Sequence, residues 1–291
     1  MNRPENEPAH LRSVAEALAA EAAAFVRRRR SEVFGPGTRA EGNAAVRTKT
    51  TPTDPVTIVD TETEQLLRDR LAQLRSGDPV LGEEIGGPAN PADHAAGTVT
   101  WVLDPIDGTV NFVYGIPAYA VSVAAQIDGV SVAGAVADVM GARVYSAAAG
   151  LGAHVIDDQG TQPLRCAAVD DLSMALVGTG FAYSGRRRTA QAALVAKLLP
   201  VVRDVRRIGS AAMDLCMVAA GRLDAYYEHG LNVWDSAAGA LIAAEAGARV
   251  VVPGPGDPDS TAALVVAAAP GIADQLLAAL ERFDGLAPIP G

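Results

Sequence analysis

Residues 101–109 read Trp101-Val102-Leu103-Asp104-Pro105-Ile106-Asp107-Gly108-Thr109. Val102 and Leu103 read as the end of a buried strand, and Pro105 blocks the next strand hydrogen bond. Asp104 and Asp107 stand three residues apart across that proline. Gly108 and Thr109 then add backbone N–H groups and a hydroxyl. Hard divalent cations such as Mg²⁺ take carboxylate and carbonyl oxygens. Phosphate takes backbone N–H groups at a glycine turn or a helix start. One turn therefore offers ligands for both. The plainer alternative is an ordinary Asp-Pro/Asp-Gly loop. The rest of the chain decides between them.

The chain has 291 residues and a formal net charge of -10. That length suffices for one large domain or two moderate ones with a substantial core. The acidic balance disfavours a broad nucleic-acid surface, because phosphate backbones are gripped by clustered Lys and Arg. It leaves room for a small anionic substrate, since a bound metal inverts the local charge. Cys166 and Cys216 are too few and too isolated for a disulfide framework or a zinc site. The four histidines, His10, His94, His154 and His229, have no metal-ligand spacing. No apolar run is long and charge-free enough to span a membrane, and the first ten residues lack an apolar signal core. A cytoplasmic protein is the expectation.

Working outward from the acidic turn, a strand over 98–103 leads into it. Upstream, apolar spacing predicts a helix over 11–30, closed by Arg27 to Arg30 as a solvated end, with nucleic-acid contact as the lesser alternative. Residues 31–48 read as a loop, Val56–Val59 as a strand and Thr61–Leu74 as a helix. Asp60 lies between those two as an N-cap candidate. Pro79–Gly82 is a strand edge ending in Glu83-Glu84. Downstream, 118–126 and 130–138 flank Asp128-Gly129, a hairpin signal. Strands follow at 144–146 and 152–156. Beyond residue 165 strands at 175–180, 205–208, 225–228, 249–252 and 262–268 alternate with helices at 187–202, 211–220, 236–246 and 270–283. The expectation is an α+β half over 1–165 and an α/β half over 166–291.

Five segments carry acids in this frame: Lys49 to Asp54 with Val56 to Asp60; Gly82-Glu83-Glu84; Asp104 to Thr109 with Asn111-Phe112; Gly209 to Ala212 with Asp224 to Glu228; and Trp234-Asp235 running to Glu245-Ala246-Gly247. Singly, each has a bland explanation. Asp235 could cap a helix, Glu83 could pair with an arginine, and Glu228 could be an exposed strand end. In order and spacing the set resembles the inositol monophosphatase family over about residues 10–285.

That resemblance implies a layered αβαβα sugar-phosphatase fold with the active site between the halves. It implies Mg²⁺ held by Glu83, Asp104, Asp107, Asp235 and the Ile106 carbonyl. Asp60 and Thr109 match positions that hold and polarise the attacking water, with Glu83 sharing that work. Gly108 and Thr109 match phosphate contacts. Ser210, Ala211 and Glu228 match contacts to the polyol, with Asp235 beside them, and Lys49 a basic residue at the mouth. It further implies hydrolysis of a phosphate monoester such as myo-inositol 1-phosphate, sensitivity to Li⁺ and a homodimer with 189–202 as a contact helix. Fructose 1,6-bisphosphate and 3′-phosphoadenosine 5′-phosphate are the alternative substrates. Either needs a second basic pocket, for which Arg186, Arg187 and Arg188 are candidates, although a solvated or subunit-contact loop is the simpler reading of them. A regulatory role through a protein partner is the alternative outside enzymology.

Overall fold

The computed structural model describes residues 6–35, 45–49, 54–88, 94–257 and 259–291. Helix α1 (Pro8–Phe34) opens on a proline at its first turn, where the missing N–H costs nothing. Its Leu11, Val14, Ala15, Leu18, Ala19, Ala22, Ala23 and Val26 form one buried face. The helix runs past Arg30 to Phe34, and the basic run, although exposed at Arg27 and Arg28, is not merely solvated. Arg27 donates to the Val139 carbonyl at 2.8 Å, Arg30 to the Phe112 carbonyl at 2.9 Å, and Arg29 to Glu62 at 2.8 Å. These arginines clamp α1 to the chain beside it.

Strands β1 (Val46–Thr48) and β2 (Pro55–Thr57) pair antiparallel. Helix α2 (Ile58–Leu74) starts three residues earlier than 61. Its N-cap is Thr57, so Asp60 is the third helical residue and not the cap. The strands β3 (Val80–Gly82), β4 (Val99–Asp107), β5 (Ala120–Ile127), β6 (Val130–Asp138), β7 (Arg143–Ala148), β8 (Ala153–Asp157) and β9 (Gly160–Pro163) follow, with short helix α3 (Thr109–Tyr114) between β4 and β5. They form one sheet in that order. Only the β3–β4 pair is parallel. Asp128 and Gly129 turn the β5–β6 hairpin at φ 52° and 78°, the left-handed pair that a two-residue hairpin needs.

Strand β4 does not stop at Leu103. It runs through Pro105 to Asp107, with a register shift between Asp104, opposite Ser122, and Asp107, opposite Ala120. Proline is tolerated at such a bulge because no ladder bond is asked of it there. The bulge bends the strand exactly where the carboxylates need a new direction.

The second half supplies β10 (Leu176–Thr179), α4 (Gly185–Leu198), β11 (Asp204–Arg206), α5 (Ala211–Ala219), β12 (Ala225–His229), α6 (Val233–Glu245), β13 (Arg249–Val251), β14 (Leu264–Ala268) and α7 (Pro270–Arg282). The five strands order as β11-β10-β12-β14-β13, parallel on the β10 side and antiparallel around β14. Arg186 to Arg188 form the first turn of α4 and not a loop.

Three apolar clusters define the layers. One joins α1 and α2 to the outer face of the seven-stranded sheet. A second joins the inner faces of both sheets through α5 and α6, with Val102, Ala124 and Tyr145 against Ala212, Leu215 and Ala238. A third seats α4 and α7 on the far face of the five-stranded sheet. The order is helix, sheet, helix, sheet, helix. Glu245 ties α6 to the first sheet by accepting from the Gly150 and Gly152 amides, both at 2.8 Å. Among the described residues, no helix is long and apolar enough to cross a membrane.

Candidate active site

The bulge at the end of β4 opens onto a cavity of about 320 Å³. Asp104, Ile106, Asp107, Gly108 and Thr109 line one side, with Glu83 following β3. Ser210 and Ala211 at the start of α5, Glu228 on β12 and Asp235 on α6 line the other. The sheet edge of one half thus faces the helix starts of the other.

Asp104, Asp107 and Asp235 each bring a carboxylate oxygen to within 4.8 Å of one another. Each is held by its own chain. The Ile106 amide donates to Asp104 at 3.0 Å. Ser210 Oγ and the Ala212 amide both donate to Asp107 at 2.6 Å. The Asn232 amide donates to Asp235 at 2.7 Å, making Asp235 the third residue of a helix N-terminus as well as a cavity residue. The capping reading and the ligand reading of Asp235 describe the same conformation.

Burial and mutual repulsion push these acids toward the protonated form. Asp104 is raised well above its ordinary value by burial, then by Glu83, Asp107 and Asp235. Asp235 is raised well above by burial, then by Glu83 and Asp107. Asp107 rises only to about 6, because burial is opposed by Ser210 and the α5 amides. A buried cluster of hard oxygen donors that repel each other fits a divalent cation.

Glu83 pairs with a lysine rather than an arginine. Lys49 Nζ lies 2.7 Å from Glu83 and 2.5 Å from Glu84. Lys49 is not among the residues lining the cavity. Glu64, fully buried on α2, accepts from the Glu84 and Ile85 amides at 2.7 and 3.2 Å and so holds that turn.

Asp60 is buried with no solvent exposure. Its carboxylate accepts from the Thr57 amide at 2.9 Å and the Thr57 hydroxyl at 2.5 Å. The Thr109 hydroxyl lies 3.2 Å from Asp60 and 3.0 Å from the Ile106 carbonyl. Burial raises Asp60 to about 7 against the pull of Thr57. Gly108 has φ 96°, and a Cβ there would meet the Ala118 carbonyl at 3.0 Å, so only glycine fits this entry to α3.

The model of the inositol monophosphatase family matches residues 7–284. The chain belongs to the inositol monophosphatase family. An inositol-1-monophosphatase of Mycobacterium leprae is 75% identical over 289 residues, covering 99% of each chain. The inositol-1-monophosphatase SuhB of Mycobacterium tuberculosis is 70% identical over 290 residues, covering each chain completely. A solved structure of Mycobacterium tuberculosis SuhB superposes with a TM-score of 0.82 at 66% identity, over 97% of this chain and 100% of that one. The family fold is layered α/β, and members of the family are phosphatases.

Sequence reasoning overlooked Arg207 in the cavity wall and left Arg187 as one of three candidates for a basic pocket. Arg207 lines the cavity and lowers both Asp107 and Glu228 toward the charged form. Two residues before Gly209-Ser210-Ala211, it reads in sequence as a strand end. Arg187 also lines the cavity while its Nε donates to the Ile289 carbonyl at 2.7 Å. It is therefore neither a loop residue nor wholly solvated, although Arg186 and Arg188 are exposed. Tyr183, Asp54 and Asn232 complete that rim. Glu228 is not an exposed strand end: it faces the cavity, and burial raises it to about 7.

Proposed function

We propose that this protein is a Mg²⁺-dependent phosphomonoesterase acting on myo-inositol 1-phosphate and similar polyol phosphates. The observation that carries the reading is the convergence of Asp104, Asp107 and Asp235 in a cavity that Glu228 also lines. Glu83, Asp104, Asp107, Asp235 and the Ile106 carbonyl are the residues we assign to Mg²⁺. When bound, the ion supplies charge to offset the phosphate oxygens and the leaving oxygen, and acidifies the attacking water.

The protein's own groups do the positioning. Ser210 and the Ala212 amide fix Asp107, so it cannot turn away from the cluster. The Gly108 and Thr109 amides stand at the start of α3, where the first N–H groups have no partner within the helix, and we assign them to phosphate. The Thr109 hydroxyl donates to Asp60, so a proton that Thr109 accepts from water would be matched by its own proton passing to the Asp60 carboxylate. Glu83 shares that acceptor role, with Lys49 steadying its carboxylate. Ala211 and Glu228 face the polyol, and Glu228 accepts from one of its hydroxyls.

We favour a polyol monophosphate over a bisphosphate because Glu228, which lines the cavity, suits a hydroxyl better than a second phosphate. Family membership also leads us to propose inhibition by Li⁺, a cytoplasmic location, and a homodimer through the exposed alanines Ala192, Ala193 and Ala196 of α4. We assign the bulk of the cation ligands to 1–165 and the polyol contacts to 166–291. Phosphate release from myo-inositol 1-phosphate, with and without Mg²⁺, is the test. Turnover that survives excess chelator unchanged overturns the metal assignment.

A further inference from the structure

We propose that Tyr226 is a positioning residue that sets the Glu228 carboxylate for its polyol hydroxyl and so governs substrate preference. The inference rests on the reading of Glu228 given above and extends it by one residue.

Tyr226 and Glu228 lie two apart on β12, so their side chains leave the same face of the sheet. That face is the inner one, packed with α5 and α6, and Tyr226 is wholly buried in it. Its hydroxyl donates to Glu228 Oε2 at 2.6 Å. A buried tyrosine hydroxyl needs a partner, and a carboxylate gives a strong one. With Oε2 engaged, Oε1 is the oxygen left to meet a ligand.

The neighbouring strand is shaped to admit this pair. Gly178 of β10 is in register with Tyr226. A Cβ on Gly178 would come within 3.2 Å of the Tyr226 ring and 2.8 Å of Asp214 Oδ1. A Cβ on Gly180 would fall among all three carboxylate atoms of Glu228. Gly178 on β10 and Gly180 just past its end thus clear a slot for a tyrosine and the carboxylate it holds. Asp214 of α5 stands in the same slot, only 1% exposed, and its Oδ1 has no hydrogen-bond partner among the described residues. This second buried acid repels Glu228. Without the Tyr226 hydroxyl, Glu228 has one fewer donor holding it in the wall.

The test is a double-mutant cycle on Tyr226→Phe and Glu228→Gln, read as kcat and KM on myo-inositol 1-phosphate and on a plain aryl phosphate. Tyr226→Phe removes one oxygen and keeps the ring. We expect the ratio of kcat/KM for the polyol ester to that for the aryl ester to fall about tenfold, mainly through KM. In the Glu228→Gln background the same substitution should leave that ratio unmoved. Equal losses on both substrates, or losses that add across the cycle, assign Tyr226 to folding or to an independent role and overturn the proposal.

Gly180→Ala guards against a variant that does not fold. The atoms nearest the added methyl are those of the flexible end of Glu228, so it should displace that carboxylate with Tyr226 intact. It should lower the substrate ratio as Glu228→Gln does; an unchanged ratio counts against the proposal. If Glu228→Gln alone leaves the ratio untouched, it is the reading of Glu228 that fails. If Glu228→Gln lowers it and Tyr226→Phe does not, only the role given to Tyr226 fails.

Discussion

The starts of α2 and α6 use one local device for two purposes. In each, an aspartate at the third helical position accepts from the backbone N–H of the capping residue: Asp60 from Thr57 at 2.9 Å, Asp235 from Asn232 at 2.7 Å. Each is therefore explained as helix capping, stabilising by about 1 kcal/mol. What lies opposite separates them. Asp60 looks onto the Thr109 hydroxyl. Asp235 looks onto Asp104 and Asp107. The cap fixes the conformation in both places, and the tertiary neighbour decides the chemistry.

The comparison breaks first on charge. Asp235→Asn keeps an oxygen for the Asn232 amide and removes a carboxylate from the cluster. Asp104→Asn removes one without touching any cap. Both should lower kcat by about 10³-fold or more, about 4 kcal/mol, with the fold retained by circular dichroism. Either variant keeping over half the wild-type rate contradicts the assignment. Asp60→Asn leaves the cluster intact but removes one acceptor oxygen, so the bond from Thr109 or those from Thr57 must weaken. It should cost about 10²-fold, the scale of a general acid–base contribution. A loss as deep as that of Asp235→Asn means that Asp60 serves the cation too.

Metal-linked stability sharpens the same contrast and carries a sign. Asp60 and Glu228 stand near pKa 7 and Asp107 near 6, all raised chiefly by burial. A raised carboxyl binds its proton more tightly folded than unfolded. The metal-free protein therefore loses stability as pH rises from the ordinary carboxylate range to about 7. Mg²⁺ favours the deprotonated cluster, so its stabilising effect should grow over that interval. The rise in Tm on adding saturating Mg²⁺ should be larger at pH 8 than at pH 5.5. It should vanish in Asp235→Asn and persist in Asp60→Asn. An equal rise at both pH values would falsify the coupling.

How much of this was legible beforehand follows the same division. Residues close in sequence announced themselves: the Asp104 to Thr109 turn, the Asp128-Gly129 hairpin, and the alternation of strands and helices after 165. The acids assigned to the site were all named, because their order and spacing matched a family as a whole. What failed was local. Pro105 suggested a strand end, but a bulge absorbs a proline without ending the ladder. Arg27 and Arg30 suggested solvent, but carbonyls 112 and 82 residues away accept from them. Arg207, Glu64 and Tyr226 carry no pattern of their own. Each gains its place from a partner that only folding brings near: Arg207 beside Asp107, Glu64 under the Glu84 amide. Tyr226 and Glu228 are close in sequence, yet the slot that aligns them comes from β10.

The smallest test asks whether the α2 cap is more than a helix start. Thr57 Oγ1 accepts from the Val59 amide at 3.2 Å and donates to Asp60 at 2.5 Å. Thr57→Ala removes both bonds in a buried place. The cap loss should destabilise by about 1 kcal/mol, and a chain of this size should melt roughly 2 °C lower. The second bond predicts something a cap alone does not. Thr57 holds Asp60 toward its charged form against burial. Without that donor the Asp60 carboxyl titrates higher, so the acid limb of the kcat profile should move up in pH. Thr57→Ser restores the hydroxyl and should restore both the melting point and the profile. If Thr57→Ala lowers Tm and leaves the pH profile fixed, Thr57 only starts a helix, and its hydroxyl plays no part in the titration of Asp60.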